Sequence, residues 1–246
     1  MRADRADRAG RMKPRCEGRA PVRRDRRAVF PAVRTALLSA SVLVLLCCLA
    51  FAKEGVIQCA NLVYAGTQTS KCFSDEFLRL AEEKSTLRTE RRFKRVKLAD
   101  EELYGFPFAI MTGESAFTLG QAERDNLKAY LENGGFLLAS AGCSSKEWDA
   151  SFRRELARIF PDKPLRKLPM DHALFKTVFE VKGLELSHGG RAQLEGLEID
   201  GKIVAIYSAE GLNDTAHMSG CCCCGGNEIQ NSVQVNVNIL AYALLH

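Results

Sequence analysis

The sequence predicts an α/β fold: a three-layer αβα sandwich around a mainly parallel sheet, closed by a C-terminal hairpin and helix. Three observations predict it. Short apolar runs bounded by turn residues alternate with stretches of helical period. The connections between them are short, as in a sheet covered on both faces. Asn133-Gly134-Gly135 ends one helical stretch and leads straight into an apolar run, the left-handed stop that feeds a central strand.

The elements follow in order. Residues 56–64 (VIQCANLVY) are apolar and partly β-branched, which suits a buried strand, and Gly66 breaks it. Ser74 precedes Asp75-Glu76 and the periodic Phe77, Leu80, Ala81 and Leu87, giving a capped helix to about Arg88. Residues 93–98 alternate with basic residues as an outer strand does, and 106–111 (FPFAIM), between Gly105 and Thr112-Gly113, form a central strand. A helix over 119–132 precedes the stop, and a strand over 136–139 follows it. Trp148, Phe152, Leu156 and Phe160 share one face of a helix over 146–160, which Pro161 ends. Residues 194–199 and 202–208 form a hairpin around Asp200-Gly201. Ile229, Val233, Val237, Leu240 and Leu244 favour a closing helix, although Val233, Val235 and Val237 also alternate as a strand would. With no internal repeat and no linker, residues 53–246 form one domain.

Residues 1–52 differ from the rest. Residues 1–34 hold twelve Lys or Arg against four acidic residues, so their net +8 against the whole chain's +5 leaves the remainder at about −3. The basic balance therefore belongs to the leader, and no nucleic-acid partner is expected. Residues 35–52 (TALLSASVLVLLCCLAFA) are eighteen residues without a charge, ending in Ala50-Phe51-Ala52. That is the pattern of a cleaved secretory signal, which places the domain in the periplasm or outside the cell. The alternative is an uncleaved anchor through residues 35–52, because eighteen apolar residues can just span a bilayer. Either way, membrane contact is confined to the N-terminal segment. Leu46 before Cys47 argues against a lipoprotein, Arg26-Arg27 permits a twin-arginine route, and either Met1 or Met12 could be the start.

The segments FPFAIMTGESAFTL (106–119), LKAYLENGGFLLAS (127–140) and FRRELARIFP with LPMDHALF (152–175) resemble the bacterial family known as domain of unknown function DUF4159. LEGLEIDGKIVAIYS (194–208) and the NVNILAYAL ending extend the resemblance over most of the domain. It implies a flavodoxin-like or class I glutamine-amidotransferase-like α/β sandwich and confers no activity. Typical members carry acidic residues just after GGFLL, where this chain has Ala139-Ser140-Ala141, so no role resting on those acids carries over.

In a doubly wound sheet ligands collect at the carboxyl ends of the strands. Thr112, Gly113, Glu114 and Ser115 on one turn, and Ser140, Gly142 and Ser144 on the next, should therefore face one crevice. Cys143 sits where a nucleophile elbow would present a thiol, with a helix N-terminus to lower its pKa. His172 is the candidate base, with Asp171 fixing its ring. The plainer readings are a turn-forming cysteine in a packed loop and a helix N-cap in which the Asp171 carboxylate accepts backbone N–H bonds. A glutaminase would need Gly-x-Cys-x-Gly and His-x-Glu, and none of His172, His188 and His217 has a glutamate two residues on.

Cys221, Cys222, Cys223 and Cys224 form the most unusual feature of the sequence. Cys221 and Cys224 have the Cys-x-x-Cys spacing that lets two sulfurs reach one ion, so zinc or another thiophilic metal is the cofactor the run could hold, with Cys143, His217, Cys59 or Cys72 completing the shell. Disulfides, for which Cys59 and Cys72 are also partners, and reduced packing thiols are the other two readings. Residues 53–246 hold seven cysteines, an odd number, so one at least stays outside an internal pair. Gly225-Gly226 is a weak candidate cradle for a small anion.

Two functional readings remain. One is a non-catalytic binding or assembly module of the cell envelope, its ligand an envelope protein or a small molecule. The other is a thiol- or metal-dependent hydrolase or amidase using Cys143 and His172. A redox role would rest on the cysteine run alone.

Overall fold

Strands that are apolar on both faces can only be central, and this chain has them. All six residues of Phe136–Ala141 (β7) are buried, as are five of the six in Phe108–Gly113 (β6) and in Cys59–Tyr64 (β2). The computed structural model of the protein describes residues 55–213 and 227–245. The leader, His217, Cys221 to Cys224 and Gly225-Gly226 lie outside the described residues. Those that are described fall in one compact unit, Lys53–His246.

The remaining strands are Val56–Ile57 (β1), Gln68–Thr69 (β3), Arg88–Thr89 (β4), Lys94–Lys97 (β5), Arg166–Lys167 (β8), Leu194–Ile199 (β9) and Lys202–Ser208 (β10). Five strands run parallel in the spatial order β5, β2, β6, β7, β10. Antiparallel β9 and β8 extend the sheet beyond β10, while β3 folds back on the end of β2. Numbered along the chain, the parallel strands stand in the order 2-1-3-4-5, a doubly wound sheet whose direction of winding reverses between β2 and β6.

The helices cover both faces. Gln121–Glu132 (α2) and Lys146–Ile159 (α3) bury Leu127, Tyr130, Trp148, Phe152 and Leu156 against one face. Glu76–Lys84 (α1) and Ser232–Leu245 (α4) bury Phe77, Leu78, Val235, Ile239 and Leu240 against the other. The fold is thus the expected three-layer sandwich. Among the described residues no helix is long and apolar enough to cross a membrane.

Several local differences from the sequence expectation have physical causes. The run over 56–64 divides at Gln58, because β1 pairs with β4 in a separate two-stranded sheet while β2 joins the main one. The first helix stops at Lys84 rather than Arg88, since the Ser85 hydroxyl donates to the Ala81 carbonyl and the chain is needed for β4. Ser74 does take up an orphan donor there: its hydroxyl accepts from the Glu76 N–H at 3.1 Å. The stop after α2 is left-handed at Gly134 (φ 96°), and the hairpin turn is left-handed at both Asp200 (φ 51°) and Gly201 (φ 80°), as its two-residue length requires. The valine alternation near the C-terminus resolves as the helix α4, which is buried almost all round.

Candidate functional site

The reversal between β2 and β6 leaves a crevice at their carboxyl ends, and the β2–β3 hairpin shapes it. Ala65 (φ 45°) and Gly66 (φ 86°) turn the chain back. Asn61 then donates to the Ser70 carbonyl at 2.9 Å, and the Ser70 hydroxyl bonds both the N–H and the hydroxyl of Thr112 at 2.9 Å. A cleft of about 470 Å³ results, lined from the β2 side by Thr67, Gln68, Thr69, Lys71 and Cys72 and from the β6 side by Thr112, Gly113, Glu114 and Ser115, with Gly142 and Asn213 at its end.

Its floor is rigid. The Tyr64 hydroxyl donates to the Thr112 carbonyl at 2.9 Å and accepts from the Trp148 indole at 2.7 Å, and both rings are fully buried. Burial pushes the Tyr64 hydroxyl up to about 12, against the indole bond that acts to lower it. Trp148 lies 5.4 Å from the Phe117 ring and stacks on Phe152 at 5.1 Å, and Phe152 stacks on Tyr207 at 4.6 Å. Gly113 runs directly over this pair: a Cβ there would stand 2.3 Å from the Tyr64 hydroxyl and 2.6 Å from the Trp148 nitrogen.

The turn after β7 is held in an unusual backbone state. Cys143 (φ 51°) and Ser144 (φ 52°) are consecutive left-handed residues, a conformation costing about 1–2 kcal/mol each outside glycine. Four hydrogen bonds help to hold them. The Cys143 N–H donates to Glu228 Oε1 at 3.2 Å, its thiol donates to Glu114 Oε1 at 3.4 Å, and the Ser144 hydroxyl both donates to the Asn227 carbonyl (2.8 Å) and accepts from its N–H (3.1 Å). Glu228 is itself buried against Gly211, where a Cβ would fall 1.8 Å from its carboxylate. Ser144 faces a smaller neighbouring pocket of about 280 Å³ shared with Asp149 and Glu210, whose carboxyl is raised chiefly by burial.

The expected crevice therefore forms from Thr112, Gly113, Glu114, Ser115 and Gly142. Ser140 does not reach its wall: it sits in register between Thr112 and Ser208 and is wholly buried. Nor does the structure bring His172 to Cys143. His172 caps the short helix Ala173–Lys176, its Nδ1 accepting from the Leu174 N–H at 3.2 Å, with its ring 5.5 Å from Tyr242. Tyr242 lies ten residues along α4 from Ser232, a rise of about 15 Å, whereas Cys143 is tied to Glu228 just ahead of that helix. Asp171 is exposed beside the cap. The geometry supplies a cap here, but from the His172 ring rather than from the Asp171 carboxylate.

The cysteines separate by environment. Cys59 and Cys143 carry no disulfide, whereas Cys72, on the cleft wall, is not among the unbridged thiols. Burial pushes the Cys59 thiol up to about 12, which makes it inert. Among the described residues no group of three or more His, Cys, Asp or Glu could hold a metal ion. Cys221 to Cys224 lie outside them.

Sequence reasoning missed Asn213, Lys71 and Glu228. Asn213 and Glu228 lie in the aperiodic stretch before α4, where no hydrophobic pattern marks a wall, and Lys71 lies in a loop that only the hairpin's fold-back carries to the cleft.

Over residues 58–244 the chain matches the family model described as domain of unknown function DUF4159, and it belongs to that family. No curated protein matches it.

Proposed function

We propose that this DUF4159 domain is an exported, non-catalytic binding or assembly module of the cell envelope, with its ligand seated in the cleft between β2 and β6. One observation carries this reading: a preformed polar cleft of about 470 Å³ at the switch point, on a floor locked by Tyr64 and Trp148. The basic stretch and apolar run before Lys53 support export.

An oxidising compartment gives the cysteine run a role in the same place. The described chain leaves at Asn213 and resumes at Asn227, both beside the cleft region. Cys221 is eight steps along the chain from Asn213, and at about 3.3 Å each these suffice to reach Cys72, which lines the same cleft as Asn213. A disulfide between Cys72 and one of these four cysteines would staple the loop to the hairpin.

The thiol-enzyme reading keeps one favourable observation, the left-handed Cys143 with Glu114 rather than His172 beside its sulfur. A proton NMR time course separates the two readings. The purified protein is incubated with a mixture of polar metabolites, wild type beside Cys143→Ser. The binding module predicts line broadening of a ligand with no loss of its signal and no difference between the two proteins. Consumption of a component by wild type alone would replace this reading with the enzyme.

A further inference from the structure

Resting on the export reading above for the side of the membrane it meets, we propose that the amino edge of the main sheet is a docking surface for an anionic phospholipid bilayer. Membrane contact then extends beyond the N-terminal segment. Among the described residues four large apolar side chains are exposed, and three of them lie at this one edge. Val56 (40% exposed) stands ahead of β2 with only Ile57 and Gln58 between, and Tyr104 (48%) stands four residues ahead of β6. Leu245 (69%) ends α4, which starts beside the Cys143 turn at the carboxyl edge and runs back for fourteen residues, about 21 Å, the length of a six-residue strand. Burial and then the Glu198 carboxylate raise the Tyr242 hydroxyl, which sets that end of α4 beside the hairpin turn where β9 ends and β10 begins. The fourth side chain, Met170, stands two residues before the His172 cap.

The same edge holds a hollow of about 500 Å³ ahead of β6 and β7, with Tyr104, Phe106, Pro107 and Tyr130 in its wall and no charged residue lining it. Single apolar side chains are ordinary on a protein surface, but several gathered at one edge around an uncharged hollow mark a contact surface. Tyr104, with an exposed ring and a polar hydroxyl, suits the headgroup layer of a bilayer.

Connectivity and charge choose the occupant. Residues 35–52 carry no charge, and only Lys53, Glu54 and Gly55 stand between them and Val56 in the sequence. Val56 pairs in register with Arg88, and Arg92 follows four residues on. Both arginines are exposed and form no ion pair among the described residues. The acids around them are engaged: Glu82 by Arg91 at 2.6 Å, Glu83 by Arg79, and Glu90 by the Gln58 amide at 2.8 Å. Positive charge is therefore presented where the chain arrives from its apolar run, and such charge is drawn to an anionic lipid surface within a Debye length. The cleft between β2 and β6 lies at the other end of the strands, about 20 Å away, and faces away from a bilayer so placed.

Fluorescence of the full chain in vesicles whose lipids carry bromine near the headgroup end of the acyl chains tests the inference, because bromine quenches only an indole that reaches the bilayer. Trp148 is the only tryptophan and is buried at the carboxyl edge, so it supplies an unquenched baseline. With phosphatidylglycerol mixed into phosphatidylcholine, Tyr104→Trp is expected to be quenched, and Ser115→Trp, on the cleft wall, to stay at the baseline. Leu245→Trp repeats the reading from a second position, should Tyr104→Trp fail to fold. Adding Arg88→Gln and Arg92→Gln to either edge variant should lower its quenching several-fold, as should phosphatidylcholine alone. Edge variants that stay unquenched, Ser115→Trp quenched to the same extent, or quenching indifferent to both arginines and to phosphatidylglycerol overturns the docking surface. A lipid-independent dimer in analytical ultracentrifugation that Leu245→Asp dissociates would overturn it too, assigning the edge to a second copy of the chain. Export is read separately, from protease access to the chain on spheroplasts: a protected chain with quenching intact overturns export and leaves the lipid surface standing.

Discussion

Replacing Gly113 by alanine tests the most constrained point of the site. The new methyl would stand 2.3 Å from the Tyr64 hydroxyl, 2.6 Å from the Trp148 nitrogen and 2.8 Å from its Cδ1. Neither partner can retreat cheaply. The hydroxyl is tied to the Thr112 carbonyl and to the indole, and Trp148 is walled in by Phe117 and Phe152. Relief requires either a shift of the strand or loss of the indole bond. Overpacking of about 1–3 kcal/mol plus about 1–3 kcal/mol for a buried donor left unbonded gives roughly 2–6 kcal/mol, or about 4–24 °C in Tm for a domain of this size. Trp148 is the only tryptophan in the chain, so its fluorescence reports the melt from the site itself. Gly105→Ala is the control, because a Cβ there meets nothing within 4 Å, and it should move Tm by no more than a few degrees. In a Tyr64→Phe background the nearest clashing atom is gone, so Gly113→Ala should cost less than in wild type, a coupling of about 1 kcal/mol. A Gly113→Ala protein that melts within a degree of wild type, with its indole signal unchanged, would refute the reasoning.

Other consequences are independent of the cleft. Asn238 is fully buried and clamps the segment before Val181 through its Oδ1, which accepts from Val178 and Phe179 N–H, and its Nδ2, which donates to the Phe179 carbonyl. Asn238→Ala should therefore cost about 2–4 kcal/mol in urea denaturation, against about 1 kcal/mol for Asn236→Ala, which loses one bond, to the Leu212 carbonyl. With its pKa raised by burial from 9.0 to about 12, Cys59 contributes stability that is complete below pH 9 and is lost as pH rises towards 12, at about 1.4 kcal/mol per pH unit. Cys59→Ala should flatten that alkaline decline, and in the native protein at neutral pH Cys143 should alkylate while Cys59 stays protected. Peptide mapping of non-reduced, alkylated protein should recover Cys72 linked to the peptide carrying residues 221–224. Recovery of alkylated Cys72 would remove the proposed staple.

Much of the layer order was legible in the sequence because burial on both faces leaves a plain mark. The run FLLAS could only be a central strand, and Asn133-Gly134-Gly135 could only end a helix before it. Asp200-Gly201 likewise announced a two-residue turn that needs positive φ twice. What stayed hidden depends on pairing at a distance. Nothing local says that Gln58 must break a strand so that Ile57 can pair with Thr89. Asn213 on the cleft wall and Glu228 behind the Cys143 turn sit in a segment without periodicity, and their placement follows from the bridge between Gly211 and Glu228. The Cys143 and His172 pairing failed for a related reason. Each residue stood next to a plausible helix start, but the sequence does not say where along α4 the Ala173–Lys176 helix packs, and it packs near Tyr242.

Saturation-transfer NMR on a mixture of polar small molecules, comparing wild type with Ser115→Trp, tests the central claim most directly. Ser115 is an exposed residue on the cleft wall, so the bulky substitution fills the site without entering the core. A ligand signal present with wild type and absent with an equally folded Ser115→Trp protein is the predicted result. The same ligand signal from both proteins would contradict the account, because binding would then lie outside the cleft between β2 and β6.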